Sequence, residues 1–339
     1  MRSDWVAASV RARSMAQRRA GAGTCRFVAA APNLQAGLER LSDSSYSNEL
    51  RAARTLPEAD VATRRTVLWQ LRVMAGWLPA GGARLVRAAA AAFEADNIVA
   101  LDVRRRRGQA VPGAGAPAGG RHDGDTTPVT MPGGDRNAAA GNRDQQFFDL
   151  GGLATAWPRL RTAGSEQELR LILSASPWGD PGTESALADV LTVVWLRRLA
   201  AEAAEVRPWA ASAGALLCAR LVLVNGTSPD QRLLTLLRPL TGTGWTGADT
   251  PEALRASLPP AAARVLEPVA EPMDLWRAEA ALATRVEADG FHLLRAGLPG
   301  PDVVLGAMAV LAVDAWRVRA ALAAAAVNAG SSEVLNAVA

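Results

Sequence analysis

Alanine fills this chain in long stretches, such as Ala88 to Ala92 and Ala320 to Ala326. Alanine has the highest helix propensity because it loses no side-chain entropy on entering a helix. Sheets favour β-branched and aromatic side chains instead, and aromatics make up only 5% of the 339 residues. Nearly half of the residues are apolar, so the chain can bury a sizeable core. The expected fold class is therefore all-α.

Charge restricts the partners less than it restricts the chemistry. Every basic residue apart from the two histidines is arginine, and the net charge is only +4. That is a small excess for this length and does not by itself point to nucleic acid. Arg104 to Arg107 is the densest basic run, and no aromatic residue adjoins it to stack on bases. The run reads as a charged helix end, favoured there by the helix dipole. No nucleic-acid partner is expected. Cys25 and Cys218 are far apart and form no CxxC pair, which suits free thiols in a reducing compartment. The arginine-studded N-terminus has no apolar core of a secretory signal. The longest apolar runs, Val303 to Val313 and Ala210 to Ala219, fall short of the roughly 20 residues that span a bilayer. No direct membrane span is expected, although docking on a membrane complex remains open.

Apolar spacing predicts a succession of helices. Trp5 to Arg19 opens the chain, and Leu34, Leu38 and Leu41 mark a short amphipathic piece before the polar loop Ser42 to Ser47. Val67, Leu71, Met74 and Leu78 share one helical face, with Pro79 and Gly81-Gly82 as the stop. Leu85 to Arg107 is the next helix. Residues 108–146 are rich in Gly and Pro and poor in apolar side chains, and read as a flexible insertion or linker. Helices resume with Glu166 to Leu173, where Ser165 and Glu168 fit a capping box. They continue around Leu187, Leu191 and Val194, and then over Ala210 to Val224. Thr250-Pro251-Glu252 reads as an N-cap followed by proline. Leu275, Leu282 and Val286 mark the next helix. Val304, Met308, Leu311, Ala315, Val318 and Leu322 mark the last, closed by Asn328 to Gly330.

An internal echo accompanies this layout. Leu41-Ser42-Asp43-Ser44-Ser45-Tyr46 and Leu173-Ser174-Ala175-Ser176-Pro177-Trp178 both read Leu-Ser-x-Ser-x-aromatic. Each follows a short amphipathic helix and precedes a longer one carrying a tryptophan, Trp69 or Trp195. A third unit, starting near Leu254 to Pro260 with Trp276 on its long helix, matches in layout only.

No motif supplies a reaction centre. A phosphate-binding P-loop needs a lysine, which the chain lacks, and there is no GxGxxG after a strand, HExxH, GxSxG or EF-hand spacing. His122 lies in the linker beside Asp123 and Asp125, and His292 follows Phe291 at a helix end. Glu94 and Asp96 are two residues apart and so do not share a helical face. No catalytic, cofactor-binding or metal-binding residue is assigned, and no cofactor is expected. Large helical chains of this kind commonly bind other proteins.

The order of several short motifs resembles the rotor-coupling C subunits of V/A-type ATPases, the family of the eukaryotic V-ATPase d subunit. Trp5 to Met15 is similar to that family's first helix, and Leu41 to Tyr46 to its Leu-x-x-Thr/Ser-x-Tyr turn. Phe93 to Leu101 is similar to its Asp-x-x-Asn-Ile/Leu-x-x-Leu helix. Phe148 to Leu153 resembles its apolar-Gly-Gly-Leu segment. Asp314, Arg317, Arg319, Asn328 and Gly330 match its terminal helix, with Asp314 where glutamate is usual. The Gly/Pro insertion and the missing Asp-Asn motif after Val224 depart from the pattern.

The resemblance implies three similar helical-bundle repeats around a pseudo-threefold funnel. They would occupy residues 1–107, 147–245 and 246–339, with 108–146 inserted. It also implies a non-catalytic central-stalk protein on the cytoplasmic face of the membrane. Such a protein is a monomer within a hetero-complex and couples the rotor-shaft subunits to the membrane proteolipid ring for proton or sodium transport. Arg84 and Arg87 are placed to pair with acidic partners. The alternatives are a helical interaction scaffold unrelated to ATPases, or a helical enzyme using carboxylates.

Overall fold

In the computed structural model, residues 3–79, 81–108, 147–295, 297–331 and 335 are described, and every regular element among them is helical. The segment expected as a linker lies outside the described residues, save that Gly108 is the last residue of a long helix.

The N-terminal helices are α1 (Val6–Gln17), α2 (Gly21–Ala29), α3 (Leu34–Glu39), α4 (Ser47–Leu50) and α5 (Leu56–Ala75), followed by α6 (Ala83–Gly108). Local chemistry sets their starts. Asn33 accepts from the Ala36 N–H at 2.9 Å to cap α3. Thr55 and Glu58 form a reciprocal capping box on α5, with Pro57 in its first turn. That helix ends at Ala75, one turn before the expected Leu78. Trp77 N–H to Met74 C=O (3.0 Å) and Leu78 N–H to Ala75 C=O (3.3 Å) tighten the chain into turns ahead of Pro79.

The second set is α7 (Trp157–Leu160), α8 (Glu166–Ser174) and α9 (Leu187–Glu202). Ser165 caps α8 by accepting from the Glu168 N–H at 3.1 Å. The capping box expected there is only half formed, because the Glu168 carboxylate takes the N–H of Gly164 instead of that of Ser165.

The remaining helices are α10 (Arg207–Ala219), α11 (Gln231–Thr241), α12 (Pro251–Ser257), α13 (Pro260–Ala263), α14 (Leu275–Arg295) and α15 (Pro301–Ala326). Asp230 caps α11 and Thr250 caps α12, the latter as expected. Asn328 at φ 51° and Gly330 at φ 69° turn the chain away after α15.

A short 3-10 turn leads into α10, and a π-turn over Arg220–Val224 extends it. The continuous stretch Ala204–Val224 is thereby long and apolar enough to cross a bilayer, by length and composition alone. The apolar-run count missed it because polar residues interrupt the run. In the fold, 61% of its most apolar window is buried.

The packing follows a chain of neighbours. α15 lies against α1, α2, α3 and α5; α5 touches α6; α6 packs on α9; α9 on α10; α10 on α14; and α14 returns to α15. The C-terminal helix therefore joins the N-terminal group. Arginine–carboxylate pairs cross several of these junctions: Arg319–Asp60 between α15 and α5, Arg64–Asp96 between α5 and α6, Arg220–Glu279 (3.0 Å) between α10 and α14, and Arg317–Glu287 between α15 and α14. The core beneath is a continuous apolar cluster that includes buried Trp178, Trp245 and Trp316.

Candidate functional site

Two buried carboxylates organise loops that the sequence echo singled out. Glu94, on α6, is 1% exposed. One of its oxygens, Oε1, accepts the backbone N–H groups of Thr155, Ala156 and Trp157, each at 2.8 Å. The other, Oε2, accepts the Trp178 indole N–H at 3.0 Å and the Thr155 hydroxyl. The start of α7 and the second echo turn are thus tied to one side chain.

Asp314, on α15, is fully buried and does the same for the first echo turn. It accepts the Gly21 N–H at 2.7 Å, the Ala20 N–H at 3.0 Å and the Tyr46 hydroxyl at 2.9 Å. Burial pushes its carboxyl above the usual carboxylate range, against the opposing pull of the Gly21 and Ala20 N–H groups, the Tyr46 hydroxyl and Arg19.

The turns match atom for atom. The Ser44 hydroxyl donates to Leu41 C=O at 2.7 Å and accepts the Tyr46 N–H at 3.2 Å. The Ser176 hydroxyl donates to Leu173 C=O at 2.6 Å and accepts the Trp178 N–H at 3.2 Å. In the third set of helices α10 carries no carboxylate, and the start of α11 is held locally by Asp230. Trp245 there is fully buried, with its indole N–H on Gly242 C=O at 3.2 Å.

The motifs that suggested a family resemblance also acquire partners. Asn97 makes a two-way bridge to Phe148, donating from its amide to the Phe148 C=O at 2.9 Å and accepting the Phe148 N–H at 2.7 Å. Its neighbour Asp96 pairs with Arg64. Arg72 reaches Asp149 at 2.8 Å beside Gly151, whose φ of 51° suits glycine. Glu94 and Asp96 thus serve different neighbours, in keeping with their different faces. Sequence position disclosed that Glu94 and Asp314 lie on helices, but not that loops remote in the chain converge on them.

The two thiols are shut away from solvent. Cys25 and Cys218 are fully buried. Burial, with the Asp314 charge adding to it, raises the Cys25 thiol far above its ordinary range, and burial pushes Cys218 up to about 12. Neither thiol is expected to release colour from Ellman's reagent in the native protein within minutes, whereas both react once guanidinium unfolds it. Prompt native-state reaction of either would show that its site opens readily. His292 is exposed on α14, and His122 lies outside the described residues. Among the described residues no group of three His, Cys, Asp or Glu side chains is arranged to hold a metal.

The surface offers contacts of a different kind. Val6 and Val10 on α1, Trp69 on the adjoining α5 and Trp77 just past its end are exposed, and Arg11 stacks over the Trp77 ring. Arg104, which has no aromatic neighbour in sequence, stacks 4.5 Å from the Phe147 ring centroid. Arg106 pairs with Asp102 at 2.9 Å and lies 3.4 Å from Glu166. Part of the basic run is thereby engaged within the fold. Comparison with protein-family models and with curated proteins finds no match.

Proposed function

We propose that this chain is the rotor-coupling component of a V/A-type rotary ATPase. It would join the central shaft to the membrane proteolipid ring from the cytoplasmic face, without chemistry of its own. The observation that carries this reading is the twice-built loop. A carboxylate on a long helix holds the N–H groups that open a shorter helix, and it takes the aromatic donor of a Leu-Ser-x-Ser-x-aromatic turn. Such a device, repeated in detail on α6 and α15, supports internal duplication. The third set, built on α10, is read as a diverged copy that keeps the cap of its short helix, Asp230 at the start of α11, but has no carboxylate on its long helix.

The cyclic order of neighbours, with each long helix passing to the next until α14 meets α15, supports a pseudo-threefold arrangement of these units. A close-packed helical ring suits mechanical coupling, since dense interiors transmit strain with little compliance. The half-exposed tryptophans Trp69 and Trp77 are of the type that anchors protein interfaces.

Co-expression with the shaft subunits and proteolipid ring of the host's rotary ATPase tests the reading. Co-elution in size-exclusion chromatography that persists in moderate salt is the expected result. Failure to associate with either, in protein that is folded and helical, overturns it and leaves a helical scaffold for a soluble partner.

A further inference from the structure

The junction of α6 and α9 holds an open cleft of about 240 Å³, lined by Arg84, Arg87, Ala88, Arg198, Ala201 and Glu202. The lining positions recur with the same spacing on the two helices, so facing turns form its walls. The Trp195 indole N–H on Ala88 C=O, at 3.1 Å, fixes the junction.

Arg198 is the unusual member. Its guanidinium lies 4.9 Å from the Trp178 ring centroid, and its Nη1 is buried with no hydrogen-bond partner among the described residues. A buried donor left unpaired is costly, and more so when charged. Desolvation holds this guanidinium below its ordinary range despite the opposing influence of Glu94 and Glu202. Among the described residues Glu202 pairs with Arg84, at a loose 3.9 Å. Three guanidiniums thus line the cleft with one carboxylate, Glu202, while Glu94, held by the α7 loop and Trp178 outside the lining, adds a second negative charge felt by Arg198. One positive charge is left over, which matches a singly charged carboxylate better than a doubly charged phosphate.

We propose that this cleft is a receptor site for a carboxylate side chain on an acidic segment of a partner protein, with the partly buried Arg198 as the anchor and Arg84 and Arg87 as its rim. The fork of N–H donors on an arginine fits the two oxygens of a carboxylate, and charged groups of this kind set register and orientation between proteins. Because Arg198 rests on Trp178, which is itself bonded to Glu94, an occupant would also bear on the loop that Glu94 holds. The site does not depend on the rotary reading, and its test uses no rotor component, so the two stand or fall separately.

The probe is a fluorescein-labelled peptide of alternating Glu and Ala, followed by anisotropy on the full chain. Saturable binding is expected, weakened about tenfold or more by Arg198→Met and by Arg87→Gln, since each removes a charge-assisted hydrogen bond. Arg161→Gln, at an exposed arginine outside the cleft, should leave it unchanged. Arg87→Gln keeps the test decisive if Arg198→Met disturbs folding, because Arg87 lies on the partly exposed rim. Acetate should compete at least as well as inorganic phosphate. Absence of binding, equal loss in Arg161→Gln, or phosphate displacing the peptide far better than acetate would each overturn the proposal.

Discussion

Replacing Glu94 with alanine should cost this protein about 4 kcal/mol of stability, because it strands several buried donors at once. Three backbone N–H groups, the Thr155 hydroxyl and the Trp178 indole N–H all end on that one carboxylate. The side chain is nearly fully buried, so bulk water does not stand ready to replace it. Domains are typically stable by only about 5–15 kcal/mol, so the loss takes a large share of the total. Glu94→Gln should be milder, at about 2 kcal/mol. Its amide oxygen still accepts the α7 N–H groups, while its NH2 turns a donor towards Trp178 Nε1. Urea unfolding followed by far-UV circular dichroism measures both. A loss below about 1 kcal/mol for the alanine variant would mean that water enters and satisfies the loop, and that the carboxylate is not its keystone.

Asp314→Ala should behave alike, since Ala20, Gly21 and Tyr46 lose their shared acceptor. Its magnitude should be smaller, because fewer donors are stranded and its ionised form already bears a burial penalty. Parallel behaviour at the two sites is what a duplicated device predicts.

What could be read in the sequence follows from how local each determinant is. Thr250 and Asn328 act within a few residues of themselves, so the start of α12 and the exit from α15 were accessible to spacing and turn chemistry. The end of α5 was displaced because a periodic leucine, Leu78, outlasted the helix that Pro79 had already begun to unwind. The half-formed box at Ser165 has a similar cause: the glutamate is correctly spaced, but a neighbouring N–H, that of Gly164, competes for it. The Leu-Ser-x-Ser-x-aromatic echo was visible as letters. What fixes each turn in space, however, is an acid on a helix far away in the chain, which no local window connects to it. Arg84 and Arg87 were recognisable as surface cations, whereas the partly buried Arg198 that turns them into a cleft comes from α9. A helix over Ala210 to Val224 was legible, but the bilayer-spanning length of Ala204–Val224 was not, since run-counting looks for uninterrupted apolarity while a span needs only enough of it on average.

The close approach of α15 to α14 should reverse the ordinary effect of replacing a helical glycine. Gly306 on α15 and Gly290 on α14 meet where the two helices pass. A Cβ on Gly306 would sit 2.5 Å from the Gly290 carbonyl oxygen, 2.9 Å from the Leu293 Cβ and 2.9 Å from the Leu294 backbone nitrogen. Two of these three obstacles are backbone atoms, so relief requires α14 to move as a body and not a side chain to rotate. In an exposed helix, Gly→Ala gains about 1 kcal/mol from propensity alone. Overpacking a close-fitted interior costs about 1–3 kcal/mol, occasionally more, and a clash with backbone belongs at the upper end of that range. The balance predicts a net loss of about 2 kcal/mol for Gly306→Ala. Gly23→Ala, at an exposed position of α2 with nothing within 4 Å of the new methyl, should instead gain about 0.5–1 kcal/mol. The sign contrast between the two variants, read from urea midpoints under one condition, is the informative quantity. If both stabilise, α14 and α15 can separate at little cost. The Arg317–Glu287 pair that bridges them would then be a tether between sliding helices, not a bond across a locked seam. If Gly306→Ala destabilises as expected, the backbone contact locks α14 to α15 and closes the cycle of helix neighbours through which a coupling protein would carry load.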